Sequence, residues 1–150
     1  MNKIAFTLLF CFLSIGVFAQ YFGELRDIIP YSGGQYDQYI MDVTISDSPY
    51  VVYDGDTFRA DVSLPFSIEV KNVRFRMYAL DCPEIRGEDR EDGLCARDRM
   101  RELILGKELE LVSFNLKEDK YGRMLVVPFL DGQNVSQILV DEGYCKTRYY

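Results

Sequence analysis

The stretch Arg76-Met-Tyr-Ala-Leu-Asp-Cys-Pro-Glu84 ends a run in which apolar and polar side chains alternate. This alternation predicts a strand with one buried face, with Phe75 on the apolar side and Arg76 on the polar side. The proline ends the strand because it has no N–H to donate. Two carboxylates, Asp81 and Glu84, follow close to the guanidinium. Carboxylates beside an arginine suit a site that handles a metal ion and a phosphate together.

Two further motifs flank this stretch along the chain. Asp54-Gly-Asp-Thr57 is a tight glycine turn with two acids, and the alternation from Phe58 to Leu64 predicts a half-buried strand after it. Taken alone, this turn is better explained as a simple connection between strands. The polar loop Asp119-Lys-Tyr-Gly-Arg123 carries a second arginine. The three motifs together therefore indicate one phosphate-handling site.

The first residues are typical of a secretory signal peptide. Lys3 precedes an uncharged, largely apolar run from Ile4 to Phe18, and a small residue, Ala19, follows. The run is short for a transmembrane anchor and has no flanking positive stop on its far side. We expect a signal peptide over residues 1–19, an irregular extension over 20–38 and one domain over 39–150. The sequence thus predicts a secreted or periplasmic monomer with no membrane anchor after cleavage.

The charge balance limits the ways in which this chain can bind nucleic acid. Without the leader the chain has 24 acidic and 16 basic residues, a net charge of −8. Affinity for a polyanion normally comes from lysine and arginine, so we expect weak, salt-sensitive binding to polymers and a strong dependence on metal. The chain has no histidine. This excludes catalysis by histidine pairs and by histidine-bound metals, and leaves carboxylates as the available bases.

The order of the remaining elements predicts a small barrel. We expect a first strand in two parts between Tyr39 and Tyr53, the strand from Thr57, a link over 65–71 before the arginine-bearing strand, and two more strands over 107–116 and 122–130. Two helices are expected. The first runs from Leu94 to Leu105, capped by Asp92 and closed by Gly106, and the second runs from a cap at Asn134 to Gly143. This order fits a mainly β fold with helices (α+β), namely a five-stranded OB-fold barrel with two or three helices.

The three motifs, in this order and with a helix between the second and the third, resemble those of the staphylococcal nuclease family, also called thermonucleases or SNase-like domains. The resemblance covers roughly Tyr39 to Tyr150. It implies an OB-fold barrel whose cleft holds one calcium ion and cuts DNA or RNA phosphodiesters, leaving 3′-phosphate ends. The chain would then be an exported calcium-dependent nuclease with nucleic acid as its substrate.

The resemblance also implies roles for individual residues. These are metal ligands (Asp56, Asp81 and the backbone carbonyl of Cys82), catalytic residues (Arg76, Glu84 and Arg123) and nucleic-acid contacts (Lys120, Tyr121 and Tyr149). Asp54 would lie just outside the ligands. Oxygen donors suit the hard Ca²⁺ ion, planar guanidinium groups bind phosphate bidentately, and a carboxylate can accept the proton of an attacking water.

The cysteines allow more than one arrangement. Three remain after the leader, Cys82, Cys95 and Cys145, and export would permit one disulfide with one thiol left over. Three buried thiols without a disulfide are the alternative. Compared with the family pattern, Cys95 and Cys145 stand where alanine is usual, so the resemblance implies that these two pair and that Cys82 is free.

A second function class remains open on the sequence. A barrel of the same fold with little or no catalytic activity could bind nucleic acid or protein instead. The intact acids, arginines and glutamate favour the enzyme, whereas the acidic net charge favours the binding module.

Overall fold

The computed structural model describes residues 38–148, apart from the side chain of Asn115. The predicted signal peptide, the predicted extension up to residue 37 and Tyr149 lie outside the described residues, so the predictions for them stay predictions. Within residues 38–148, no helix has both the length and the apolar character that crossing a membrane requires.

The described chain contains strands of very different lengths and two α-helices. Five strands are long: β1 (Gln38–Thr44), β2 (Thr57–Leu64), β3 (Ile68–Met77), β5 (Glu108–Glu118) and β6 (Met124–Leu130). Three have two residues each: β4 (Leu80–Asp81), β7 (Gln133–Asn134) and β8 (Lys146–Thr147). The helices are α1 (Arg90–Ile104) and α2 (Val135–Asp141).

The five long strands form a closed barrel. Their order is β3-β2-β1-β5-β6, and β6 pairs with β3 to close the ring. This closing pair is parallel and places Arg76 opposite Leu125, whereas the other pairs of long strands are antiparallel. Closure leaves the sheet without long open edges. The predicted five-stranded OB-fold barrel with two or three helices is therefore confirmed, and residues 38–148 contain two α-helices.

The barrel interior and the inner face of α1 form one core. Alternation in β2 buries Phe58, Ala60 and Val62, and the Phe58 ring stacks on Phe75 of β3 with 5.5 Å between ring centres. Helix α1 covers the barrel with three side chains at a spacing of four residues: Ala96, Met100 and Ile104. The 3.6-residue period of a helix places such residues on one face, and each large apolar side chain buried there contributes about 1.5–3 kcal/mol.

Helix α1 begins four residues earlier than the sequence predicts. Its first residue is Arg90, and Asp92 lies in the first turn instead of capping it. The helix starts in a charged segment because Gly93 packs on the preceding loop, where an added Cβ would lie 2.8 Å from the carbonyl oxygen of Pro83. This tertiary contact outweighs the weak local helix signal. The closing residue, Gly106, has the expected positive φ of 69°.

Two strand predictions were wrong and one helix cap is confirmed. The second part of the first strand is absent, because Pro49–Val51 forms a 3₁₀ turn with the proline at its start. The link before β3 is shorter than expected, since β3 begins at Ile68. Asn134 caps α2 as predicted: its side-chain oxygen accepts hydrogen bonds from the backbone N–H groups of Ser136 and Gln137.

The implied disulfide between Cys95 and Cys145 is wrong. Cys82 bonds to Cys145 across 63 residues of sequence, and Cys95 is a free, exposed thiol. The reason lies in helix α1, where Ala96 occupies the inward position and Cys95 beside it faces solvent. Cys145 follows α2, is buried in the core and reaches the loop after β4 instead.

Candidate active site

The Asp-Gly-Asp turn before β2 is buried against two other parts of the chain. Asp54 and Asp56 are both buried, and the Asp54 Oδ1 accepts a hydrogen bond of 3.1 Å from the Asp56 N–H. A Cβ added at Gly55 would lie 2.8 Å from the Cys82 Cβ and 3.0 Å from the Ala96 Cβ. Glycine is therefore required here for close approach, and the turn is held between the Cys82 loop and α1.

The Asp56 carboxylate lies at the centre of a polar network. Its Oδ1 accepts hydrogen bonds from the Thr57 hydroxyl, at 3.1 Å, and from the Arg76 guanidinium, and its Oδ2 accepts one of 3.2 Å from the Cys82 N–H. The β2–β3 register explains this meeting, because Thr57 lies opposite Arg76. A buried carboxylate requires such partners, since an unpaired buried charge is strongly destabilising.

Arg123 joins the network from the loop between β5 and β6. Its Nη1 donates to the Thr57 hydroxyl oxygen at 3.0 Å, and its Nε donates to the Asp119 Oδ2 at 2.7 Å. The other Asp119 oxygen accepts the backbone N–H groups of Tyr121 and Arg123, at 2.8 and 3.0 Å. Asp119 thus folds the loop around itself and directs Arg123 towards β2.

Burial and hydrogen bonding move the pKa values of two acids in opposite directions. Burial raises the pKa of Asp54, although a hydrogen bond from Thr57 and the charges of Arg76 and Arg123 oppose this rise. Burial also acts to raise the pKa of Asp119, but the hydrogen bonds from Arg123 and Tyr121 outweigh it, so this pKa is lowered. The turn therefore contains a buried carboxyl group, that of Asp54, whose negative charge is only partly stabilised by its neighbours.

Asp81 and Glu84 lie nearer the surface than the network. Asp81 is exposed on β4, with its Oδ1 3.4 Å from the Arg148 Nη1. Glu84 is also exposed, on the loop whose carbonyl groups pack on Gly93 of α1. The structure thus brings together Asp56, Arg76 and Arg123 by direct contacts or through Thr57. Asp81 is linked to this network through the next residue, Cys82, whose N–H donates to the Asp56 carboxylate.

Lys120 and Tyr121 form the outer rim of the Arg123 loop. The Tyr121 side chain is exposed, its ring centre lies 4.9 Å from the Lys120 Nζ, and the Arg123 Cζ lies 5.3 Å from the same centre. An exposed aromatic ring beside two cations can contact a base or a phosphate of a nucleic-acid strand. Tyr149 lies outside the described residues, and its predicted stacking role stays a prediction.

The donor chemistry fits a hard divalent cation, although the site is not arranged as a complete cage. Within residues 38–148, no three acidic, cysteine or histidine side chains come close enough to hold a metal ion together. The oxygen donors at the turn are nonetheless those that calcium prefers. Asp54 supplies the structural support: its buried carboxyl has a raised pKa, and a nearby cation would lower it.

Two residues of the network were quoted in the sequence motifs without receiving a role. Thr57 links the Asp56 carboxylate to Arg123, which is 66 positions away, and Asp119 orients Arg123. The alternating patterns of β2 and β3 would have placed Thr57 and Arg76 on the polar face of their strands, but their register also depends on a shift between Ala60 and Val62. No local pattern indicates the contact between Thr57 and Arg123, because it depends on closure of the barrel.

Comparisons with known proteins agree with this geometry. A family model described as staphylococcal nuclease homologue matches residues 74–150. The SPbeta prophage-derived endonuclease YokF of Bacillus subtilis (strain 168) is 30% identical to this chain over 121 residues, which cover 73% of this chain and 35% of that protein. The chain thus spans about a third of the length of that relative. With a family match over half of its length and the barrel that its motifs predict, the chain belongs to the staphylococcal nuclease homologue family.

Proposed function

We propose that this chain is a metal-dependent nuclease that hydrolyses phosphodiester bonds of DNA, RNA or both. The observation that carries this proposal is the network that joins Asp56, Thr57, Arg76 and Arg123 from three separate segments. The network places two guanidinium groups beside a buried acidic turn, which suits a substrate that carries a phosphate and a cofactor that carries positive charge.

The two arginines bind the phosphate in this proposal. Each guanidinium is fixed by a carboxylate, Asp56 for Arg76 and Asp119 for Arg123, so little side-chain entropy remains to be lost when substrate binds. Planar guanidinium groups donate in pairs to the equatorial phosphate oxygens, where negative charge develops during phosphoryl transfer. Lys120 and Tyr121 on the exposed rim contact the adjoining part of the strand.

The acidic turn holds the cation. Asp56, Asp81 and the backbone carbonyl of Cys82 would be its protein ligands, and Ca²⁺ is the ion that this set of oxygen donors suits best. When bound, a cation at this position supplies charge stabilisation at the reacting phosphate. Asp54 supports the turn by accepting a hydrogen bond from the Asp56 N–H. Its buried negative charge is only partly stabilised by its neighbours, which favours a positive charge nearby.

Glu84 accepts the proton of the attacking water. Its side chain is exposed beside the site, and its backbone is fixed because Pro83 and Glu84 pack on Gly93. Water attacks the phosphorus and its proton passes to the Glu84 carboxylate. The bond to the 5′-oxygen breaks, this oxygen keeps the electron pair and takes a proton from solvent to leave as a hydroxyl, and the other product carries a 3′-phosphate. A carboxylate within hydrogen-bonding reach of the water contributes roughly 100-fold or more to such a step.

We also propose that the protein is exported and that it cuts nucleic-acid strands internally. The disulfide between Cys82 and Cys145 fits an oxidising compartment, in agreement with the signal peptide that the sequence predicts over residues 1–19. The Bacillus subtilis relative is named an endonuclease, and we extend internal cleavage to this chain on that basis.

A digestion assay tests the proposal. Denatured DNA and RNA are incubated with the protein and Ca²⁺, Mg²⁺, Mn²⁺ or a chelator, and acid-soluble products and their end groups are measured. We expect cleavage with Ca²⁺, none with chelator, and 3′-phosphate ends. Saturable binding of nucleic acid without cleavage in any metal would contradict the enzyme and favour the alternative, a binding module with the same barrel.

A further inference from the structure

The disulfide between Cys82 and Cys145 lies directly against the candidate site. Cys82 is the residue after Asp81, and its N–H donates to the Asp56 Oδ2 at 3.2 Å. Its side chain also packs on the acidic turn, since a Cβ added at Gly55 would lie 2.9 Å from the Cys82 Sγ. A displacement of Cys82 would therefore alter both the Asp56 carboxylate and the Asp81 loop.

The disulfide also fixes the segment that follows α2. Cys145 is buried, and the next two residues form β8, which pairs with β4 so that Lys146 lies opposite Asp81. The Arg148 N–H then donates to the Ala79 carbonyl at 2.9 Å, and the Arg148 guanidinium lies 3.4 Å from Asp81. The paired strands β4 and β8 form a short ribbon. Each strand has only two residues, those of β8 are exposed, and so few hydrogen bonds hold the ribbon together. The β4–β8 ribbon consequently depends on the covalent bond beside it.

We propose that the Cys82–Cys145 disulfide positions the metal-binding loop, so that the site binds its cation tightly only in the oxidised protein. The proposal rests on the proposed function for the identity of the cation. A dithiol reductant converts the bond into two thiols and is itself oxidised to a cyclic disulfide. The β4–β8 ribbon then separates, and the Cys82 N–H and Asp81 lose their fixed positions beside Asp56.

Although Cys145 lies in the core, the barrel has stabilising contacts that do not involve this bond. The five strands close through β3–β6 pairing, and α2 packs on β6 and is capped by Asn134. Both residues of β8 are exposed, so β8 adds little to the core, whereas Leu80 of β4 is buried in it. Reduction is therefore expected to loosen the ribbon and the Cys82 loop while the barrel stays folded.

Amide hydrogen exchange and calcium titration test the proposal together. Samples are the oxidised protein, the dithiol-reduced protein and Cys145→Ser, with Cys95→Ser as the matched control because Cys95 is exposed and unbonded. Reduction and Cys145→Ser should speed exchange at the amides of Cys82 and Arg148 at least about ten-fold and weaken Ca²⁺ binding by a similar factor. Cys95→Ser should match the oxidised protein in both measurements.

Each outcome bears on the proposal. Exchange and Ca²⁺ affinity unchanged on reduction would overturn it, and so would global unfolding of the reduced protein, seen as loss of the circular dichroism signal. Global unfolding would mean that the bond stabilises the whole fold. If the oxidised protein neither binds Ca²⁺ nor cleaves nucleic acid, the proposed function fails, and the exchange rates at Cys82 and Arg148 still decide the positioning role.

Discussion

The paired strands β2 and β3 bury polar side chains at one end and expose apolar side chains at the other. At one end Thr57 lies opposite Arg76, beside the buried Asp56, and the polar groups bond to one another. At the other end Leu64 lies opposite Ile68, and the turn between them exposes 94% of Phe66. One end thus has polar groups buried, and the other has apolar groups in solvent. Both arrangements are costly without a partner, so both ends are unusual for a simple hairpin.

The ion pairs at the two ends differ in the same way. The Arg76 and Asp56 side chains are only 16% and 3% exposed, whereas those of Lys71 and Asp61 at the far end are 61% and 34% exposed. An exposed pair is worth about 0–1 kcal/mol and is easily replaced. Burying an ion pair costs desolvation energy, so its presence needs another reason, and the proposed binding of a phosphate and a cation would supply one. Variants at matched positions on the two ends can therefore test which end performs the chemistry.

The largest expected effect is that of Arg123→Lys. The lysine keeps the charge but loses the fork that contacts both Asp119 and Thr57, so nuclease activity should fall about 100-fold or more. Arg59→Lys is the control, because Arg59 lies further along β2 towards the far end, is exposed and bonds to Asn72 outside the network. It should change activity by less than about two-fold. Equal losses in the two variants would remove the distinction between the ends.

Glu84→Gln should lower turnover on the order of 100-fold with little change in KM, because the amide cannot accept the proton of the attacking water. The matched control is Glu88→Gln, a neighbouring exposed glutamate on the same segment. Steady-state kinetics on denatured DNA at saturating Ca²⁺ separate the two quantities. Full turnover in the Glu84 variant would exclude this residue as the base.

Thr57→Val should have a moderate effect on both stability and activity. The variant removes the hydroxyl that donates to Asp56 and accepts from Arg123, which leaves part of a buried network unsatisfied. We expect the free energy of unfolding in urea to fall by about 1–3 kcal/mol. Thr57→Ser keeps the hydroxyl and should stay close to the wild type. If valine and serine behave alike, the network does not depend on Thr57.

The smallest effects are those on the pH dependence of stability, and they should have opposite signs at the two ends. The folded-state pKa of Asp54 is raised by burial, so its ionised form costs stability at neutral pH, and this cost is relieved as pH falls through the raised pKa. Without metal, Asp54→Asn should raise Tm at neutral pH, and the difference should shrink in acid. A lower Tm at neutral pH would contradict the assigned cause.

The partner experiment uses Asp61 at the far end. Hydrogen bonds from the Asn72 N–H and the Lys71 ammonium lower its pKa, so its contribution to stability is present above the unfolded-state pKa and is lost as pH falls through the lower folded value. Asp61→Asn should therefore lower Tm at neutral pH, with no difference from the wild type in strong acid. Thermal unfolding of both variants is measured from neutral pH down to about pH 1.

The fold was largely predictable because its local signals agree with its packing. Alternation predicted the bounds of β2, and Gly106 predicted the end of α1. The early start of α1 was not predictable, since it depends on Gly93 packing on the carbonyl groups of another loop. The expected second part of the first strand is absent, because Pro49 starts a 3₁₀ turn.

The residues of the candidate site were predictable from the sequence motifs, but the contacts between them were not. Asp56, Arg76 and Arg123 were proposed to meet, and the hydrogen bonds join them. The disulfide was assigned to the wrong cysteine, because pairing depends on how the chain after α2 returns to β4, which no local pattern records.

Calcium-dependent cleavage by matched asparagine variants tests the central claim most directly. Digestion of denatured DNA is measured against Ca²⁺ concentration for the wild type, for Asp56→Asn at the buried end and for Asp61→Asn at the exposed end. We predict that Asp61→Asn cleaves as the wild type does, and that Asp56→Asn loses activity by about 100-fold and needs far more Ca²⁺. Undiminished cleavage by Asp56→Asn at the same Ca²⁺ concentration would contradict a cation site at the acidic turn.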